Sequence, residues 1–194
     1  MLLDRRHDVG YSVSCTTRRP RDGEIDGRDY YFVSRDEFLA RRAKGAFAES
    51  AEVHGNLYGT LRAEVERVFA SERHVIMDID VQGAKQFAAA YPESVLIFLL
   101  PPSAETLLGR LAGRGTEDRS GFLQRVRGAR EELKAVSFYK YAVVNDDLEK
   151  TYHLISSIVD TESVRHDRIP HLDSQVRELI SELDREILSL APSA

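Results

Sequence analysis

Three short apolar runs constrain this chain more than any other feature. Residues 74–80 (HVIMDID) are apolar and then acidic, residues 95–100 (VLIFLL) are continuously apolar, and residues 142–144 form a third run. Between them lie stretches with helical spacing, at 81–91, 104–111 and 122–136. A strand buried on both faces reads as an unbroken apolar run, and such runs alternating with helices read as βα units. The pattern predicts an α/β fold, a parallel sheet covered by helices on both faces. Ligands of such folds bind beyond the carboxyl ends of the strands. Asp78 and Asp80 close the first run at that position.

The remaining segments are shorter. Residues 11–15 alternate apolar and small polar side chains, as a half-buried strand does, and residues 16–28 are rich in Arg, Asp, Gly and Pro, as a loop is. A short strand is expected at 30–33. Ser34-Arg-Asp-Glu37 has the form of a capping box and predicts a helix over 35–43 that stops at Gly45. Short strands turning at Gly55-Asn56 are expected over 46–60, then a helix over 61–70 with Val65, Val68 and Phe69 on one face. Near the end, residues 173–190 read as a separate helix. There Val176, Ile180, Leu183, Ile187 and Leu190 recur at alternating four- and three-residue steps. This heptad-like stripe fits either packing on its own domain or a homodimer contact.

Composition narrows the function. A length of 194 residues suits one domain with a small appendage. The net charge of −5 argues against indiscriminate binding to nucleic acid. Against it stand Arg18, Arg19 and Arg21, a solvated loop or a local anion site. One cysteine allows no intrachain disulfide, and the six histidines lack metal-ligand spacing. No apolar run is long enough for a bilayer, and residues 1–6 carry no signal-like stretch. A soluble cytoplasmic protein is expected, with neither nucleic acid nor membrane as a partner.

Residues 14–32 (SCTTRRPRDGEIDGRDYYF) carry the chemistry. A phosphate dianion needs donors from several directions, and arginine supplies a planar fork that stays charged. Arg18 and Arg21, followed by the Tyr30 hydroxyl, can converge on one phosphate. The spacing alone fits a charged surface hairpin equally well.

This stretch resembles the signature of guanylate kinases. The match continues in order through Phe47-Ala-Glu49, residues 55–60 (GNLYGT), 78–83 (DIDVQG), 101–103 (PPS), 110–116 (RLAGRGT), Arg125 and 144–147 (VNDD). It covers about residues 1–160. The resemblance implies a P-loop-kinase-like parallel sheet with flanking helices. A small mixed β subdomain for GMP is implied at about 14–72, a lid at about 112–126, and a C-terminal helical extension over 161–194. It implies transfer of the ATP γ-phosphoryl group to GMP, giving GDP and ADP, with Mg²⁺ as cofactor. Arg18, Arg21, Tyr30 and Tyr58 match positions that grip the GMP phosphate. Ser14, Glu49, Thr60 and Asp80 match those that read guanine. Carboxylates accept from guanine N1–H and the N2 amino group, and hydroxyls can donate to O6 or N7. Arg110, Arg114 and Arg125 match lid and phosphate-stabilising positions and, with Arg18, are implied in catalysis. Asn145 matches a position near the adenine of ATP, Arg114 one near Mg-ATP, and Asp78 one near Mg²⁺ or a lid arginine.

The chain departs from the family at its start. P-loop kinases open with a strand and a loop G-x-x-x-x-G-K-[ST], and these 194 residues contain no Gly-Lys dipeptide. Residues 1–9 resemble the end of the helix that follows such a loop. Either the recorded start lies downstream of the true one, or the chain is a genuine truncation. The first is favoured, because every later nucleotide-contacting position survives. Without the loop, weak ATP binding and little turnover are expected. So are unpaired backbone groups where an inner strand would lie. The alternative function is a non-catalytic module that binds GMP or a phosphopeptide. A kinase for another small substrate would not need both Glu49 and Asp80.

Overall fold

The computed structural model describes residues 1–53, 55–71, 73–113 and 119–190. In chain order its elements are α1 (Leu2–Arg5), β1 (Val9–Tyr11), β2 (Ser14–Thr16), β3 (Tyr31–Phe32), α2 (Arg35–Ala43), β4 (Phe47–Val53), β5 (Asn56–Leu61), α3 (Arg62–Phe69), β6 (His74–Ile76), α4 (Val81–Ala90), β7 (Ile97–Leu100), α5 (Ala104–Ala112), α6 (Arg119–Leu133), β8 (Tyr141–Val144), α7 (Leu148–Ser163) and α8 (Leu172–Leu190). They fall into two compact units, Met1–Tyr152 and His153–Ala194.

All three apolar runs lie in parallel ladders, as the sequence pattern predicts, although β1, which pairs with the first of them, is not one of the runs. β1 pairs with β6 and β7 pairs with β8, both parallel. The two ladders are separate two-stranded sheets. Cover on both faces is incomplete, since Leu99 in β7 and Val144 in β8 are about half exposed. A third, mixed sheet has the order β3-β2-β5-β4. Its β2–β3 pair is parallel, and β5 runs antiparallel to both β2 and β4.

The helix signals explain where this sheet is braced. The Ser34 hydroxyl accepts from the Glu37 amide at 3.1 Å, and α2 occupies Arg35–Ala43 as the capping box predicts. Gly45, at φ +70°, turns the chain back. From α2, Phe38 stacks on Phe47 of β4 at 4.3 Å between ring centroids. Cys15 and Leu57 complete that core. A second core joins Ala48, Val65 and Phe87, from β4, α3 and α4.

Three expectations need correction. The alternating segment 11–15 is two strands in two sheets. Tyr11 ends β1 and Ser14 begins β2, while between them the Ser12 amide still donates to Ile76 O at 3.0 Å. Alternation persists through the crossing, so periodicity cannot show where the chain leaves one ladder for the next. The run at 74–80 is a strand only to Ile76, because Asp80 is committed to capping α4. Val65 and Val68 are fully buried, but Phe69, the last residue of α3, is half exposed.

In the second unit Glu162 is buried beside Arg165 (3.0 Å) and Arg168 (3.5 Å). The C-terminal helix begins one residue before the predicted start, and the apolar residues of its stripe are exposed. No described helix is long and apolar enough to cross a membrane.

Candidate functional site

The mixed sheet lines up the residues assigned to the base. Thr60 of β5 stands opposite Ser14 of β2 on one side and Glu49 of β4 on the other. All three are buried. The Thr60 hydroxyl donates to Glu49 Oε1 at 2.7 Å. Burial pushes the Glu49 carboxyl above the ordinary range, the Thr60 bonds oppose that, and the charge of Asp80 adds to it. Asp80 is thus an electrostatic neighbour of Glu49 while its Oδ1 accepts from the Gly83 amide at 2.7 Å. A Cβ on Gly83 would lie 2.6 Å from Glu49 Oε2. Only glycine leaves this carboxylate room at the start of α4.

The phosphate candidates lie further along the same sheet. Tyr58 precedes Thr60 by two positions on β5 and faces Thr16 of β2. Residues two apart on a strand share a face and stand about 7 Å apart. The Tyr30 ring packs edge-on against Tyr58 at 6.1 Å, and the Arg18 guanidinium lies over Tyr30 at 5.3 Å. Arg18 is held in a two-pronged pair with Glu24, at 2.7 and 3.0 Å. Its Nη1 also donates to the Arg19 carbonyl at 2.7 Å. Glu24 Oε2 accepts from the Arg21 amide at 2.7 Å as well. Arg18, then the Arg21 amide, lower the Glu24 carboxyl to about 2. Arg21 itself is exposed on this turn. Burial and then the charge of Asp78 raise the Tyr30 phenol. Asp78 Oδ1 accepts from the Tyr11 hydroxyl at 2.5 Å.

A separate cluster sits where β7 and β8 end. The Asn145 amide donates to Leu100 O at 2.7 Å, and Arg110 Nη2 donates to the Asn145 carbonyl at 2.8 Å. Thr151 donates to Asn145 Oδ1 at 3.3 Å. Arg125 is half-buried on α6. Arg114 lies outside the described residues. Among the described residues no hydrogen bond or ion pair joins Arg110 or Asn145 to Arg18, Glu49 or Thr60. Nor does any group of three His, Cys, Asp or Glu side chains suit a metal there.

Comparison with known proteins decides the family. The guanylate kinase family model matches residues 1–162. The chain belongs to the guanylate kinase family. It is 41% identical over 184 residues to a guanylate kinase of Clostridium perfringens, covering 94% of this chain and 85% of that one. With a guanylate kinase of Clostridium tetani it shares 44% identity over 167 residues, covering 86% and 80% of the two chains. The crystal structure of guanylate kinase from Anaplasma phagocytophilum superposes with a TM-score of 0.78 at 36% identity, covering 91% and 86%.

Against that guanylate kinase fold, several partners of the site residues escape sequence reading. Glu24 lies within the signature stretch, but nothing in a loop of Pro and Gly shows that it turns back onto Arg18. Tyr11 reaches Asp78 only because β1 and β6 are paired in register, Tyr11 beside Ile76. Gln86 clamps β4 from α4, accepting from the Ser50 amide at 3.1 Å and donating to its carbonyl at 3.0 Å. Glu64, buried, ties the Val13 amide, the Tyr31 hydroxyl and Arg67 together.

Proposed function

We propose that these residues bind GMP and direct transfer of the ATP γ-phosphoryl group onto its phosphate, giving GDP and ADP. The observation that carries this reading is the buried row Ser14–Thr60–Glu49 on the same sheet face as Tyr58. Glu49 and Asp80 accept from guanine N1–H and the N2 amino group, Ser14 addresses its acceptors, and Thr60, whose hydroxyl otherwise donates to Glu49, turns to them as guanine takes its place on that carboxylate. Adenine offers neither of those donors. It would leave the buried Glu49 carboxylate without the donors that guanine supplies, at a cost of about 1–3 kcal/mol. Arg18, Arg21, Tyr30 and Tyr58 hold the phosphate, which competes with Glu24 for the Arg18 fork. Catalysis of this type is positioning and charge stabilisation. Arg18, Arg110, Arg114 and Arg125 fill that role, and Asn145 lies at the adenine side. Magnesium usually takes one or two carboxylates and the substrate phosphates as ligands. Asp78, presented by Tyr11, fits that share. The ion, when bound, neutralises charge on the transferred group.

The reading includes a GMP-binding segment at about 14–72 within a domain of residues 1–160, a lid at about 112–126, an extension at 161–194, and a cytoplasmic setting. It also includes self-association through α8. GMP binding and phosphoryl transfer from Mg-ATP are separable parts of this reading. The test measures the two separately. Equilibrium titration should show GMP bound well above guanosine, with Arg18→Ala erasing most of that difference. ADP release from Mg-ATP should require GMP and be undetectable with AMP. Equal binding of GMP and guanosine removes the phosphate assignment, and equal ADP release with AMP removes the acceptor assignment.

A further inference from the structure

The apolar stripe of α8 is continuous and exposed. Val176, Leu179, Ile180, Leu183, Ile187 and Leu190 fall within about 100° of the helix circumference. They range from 44% exposed at Val176 to 74% at Leu190. A stripe of this length, on a helix of 19 residues or about 28 Å, matches the seam of a two-helix pair. Taking up the self-association proposed above, we infer that its occupant is α8 of a second copy of this chain, packed antiparallel about a two-fold axis near residues 181–182.

Charge and register choose this arrangement. In an antiparallel pair, Val176 meets Ile187 of the second copy and Ile180 meets Leu183 of the second copy, each contact occurring twice by symmetry. The flanking Arg177 then lies beside Asp184 of the second copy, again twice. Sliding by one heptad toward the N-terminus loses apolar layers and sets Arg177 against Arg177, while sliding by one heptad toward the C-terminus keeps as many layers but sets Asp184 against Asp184. A parallel pair in register places Arg177 and Asp184 beside leucines, with no opposite charge to meet. The antiparallel register therefore aligns the apolar layers and both charge pairs at once. It also sets opposite helix dipoles side by side. The six side chains from each copy remove on the order of 1,000 Å² from water, the lower edge of specific interfaces.

The test is the association state of the whole chain by sedimentation, with GMP affinity measured in parallel. The wild type should be a reversible dimer. Ile180→Asp with Leu183→Asp should give a monomer with unchanged GMP affinity. Arg177→Asp and Asp184→Arg should each weaken the dimer about three- to tenfold, and the two together should restore it. A monomeric wild type, a larger oligomer, or a dimer indifferent to the stripe substitutions overturns the pairing. A dimer that the double charge exchange fails to restore overturns its antiparallel register. GMP binding that fails in an intact dimer contradicts the site reading and leaves the pairing standing.

Discussion

Glu49 is buried where a carboxylate is poorly solvated, which suits the selective role proposed for it. Its carboxyl is raised in the folded state, so the folded chain holds that proton more tightly than the unfolded chain does. The sign follows from linkage. The contribution to stability is present below the unfolded carboxylate range and is lost as pH rises through the raised value. Above that range the charged Glu49 therefore costs stability. Glu49→Gln, which keeps an acceptor for Thr60, should raise the melting temperature at neutral pH while weakening GMP binding tenfold or more. A variant that loses stability and keeps its affinity would contradict this. In the wild type, GMP affinity should begin to fall in acid at a higher pH than an ordinary glutamate would give. The same titration of Glu49→Gln should lack that step. Glu24 behaves in the opposite way. It is held at about 2, so its contribution is present above the ordinary glutamate value and is lost as pH falls toward 2. Carboxyl chemical shifts should show Glu24 still ionised at pH 4. Arg18 and Glu49 were legible because they sit in ordered motifs. Glu24 was not, since a pairing made by loop conformation leaves no period in the sequence.

At the scale of elements, two helix starts serve the site in different ways. α2 was legible almost to the residue because capping is local, a hydroxyl at Ser34 and an amide three positions on. Ser34→Ala should cost about 1 kcal/mol of stability, read by denaturant unfolding, and leave GMP affinity unchanged. At α4 the capping residue Asp80 is also one of the proposed base readers. Asp80→Asn keeps a good capping group and removes the charge, so affinity for GMP should fall without a matching loss of stability. If stability falls equally, Asp80 is a cap alone. Gly83→Ala should displace Glu49, because the added methyl would meet its carboxylate. The expected outcome is a folded protein with weakened GMP binding. The split between β1 and β2 was hidden from the sequence, because alternation looks the same in either sheet. The early end of the strand expected at 74–80 was hidden as well, since Asp80 reads equally as a strand end or a helix cap.

For the whole molecule, the order of apolar runs and helices was enough to give the α/β class and the parallel sense of the ladders, but not that β6 pairs with β1 or β7 with β8. It could not give the mixed sheet. That sheet depends on pairings such as Ser14 with Thr60, which join residues far apart in sequence and are set by turns and a bulge near Phe47. Yet this sheet brings Ser14, Glu49 and Thr60, proposed to read the base, onto one surface with Tyr58, proposed to hold the phosphate. The central claim is therefore about that surface, and calorimetric titration of the chain with GMP and with AMP, alongside Glu49→Gln, tests it most directly. The account predicts that the wild type binds GMP at least about tenfold more tightly than AMP and that Glu49→Gln collapses the difference. Equal affinity of the wild type for the two nucleotides, or full discrimination kept by Glu49→Gln, would contradict it.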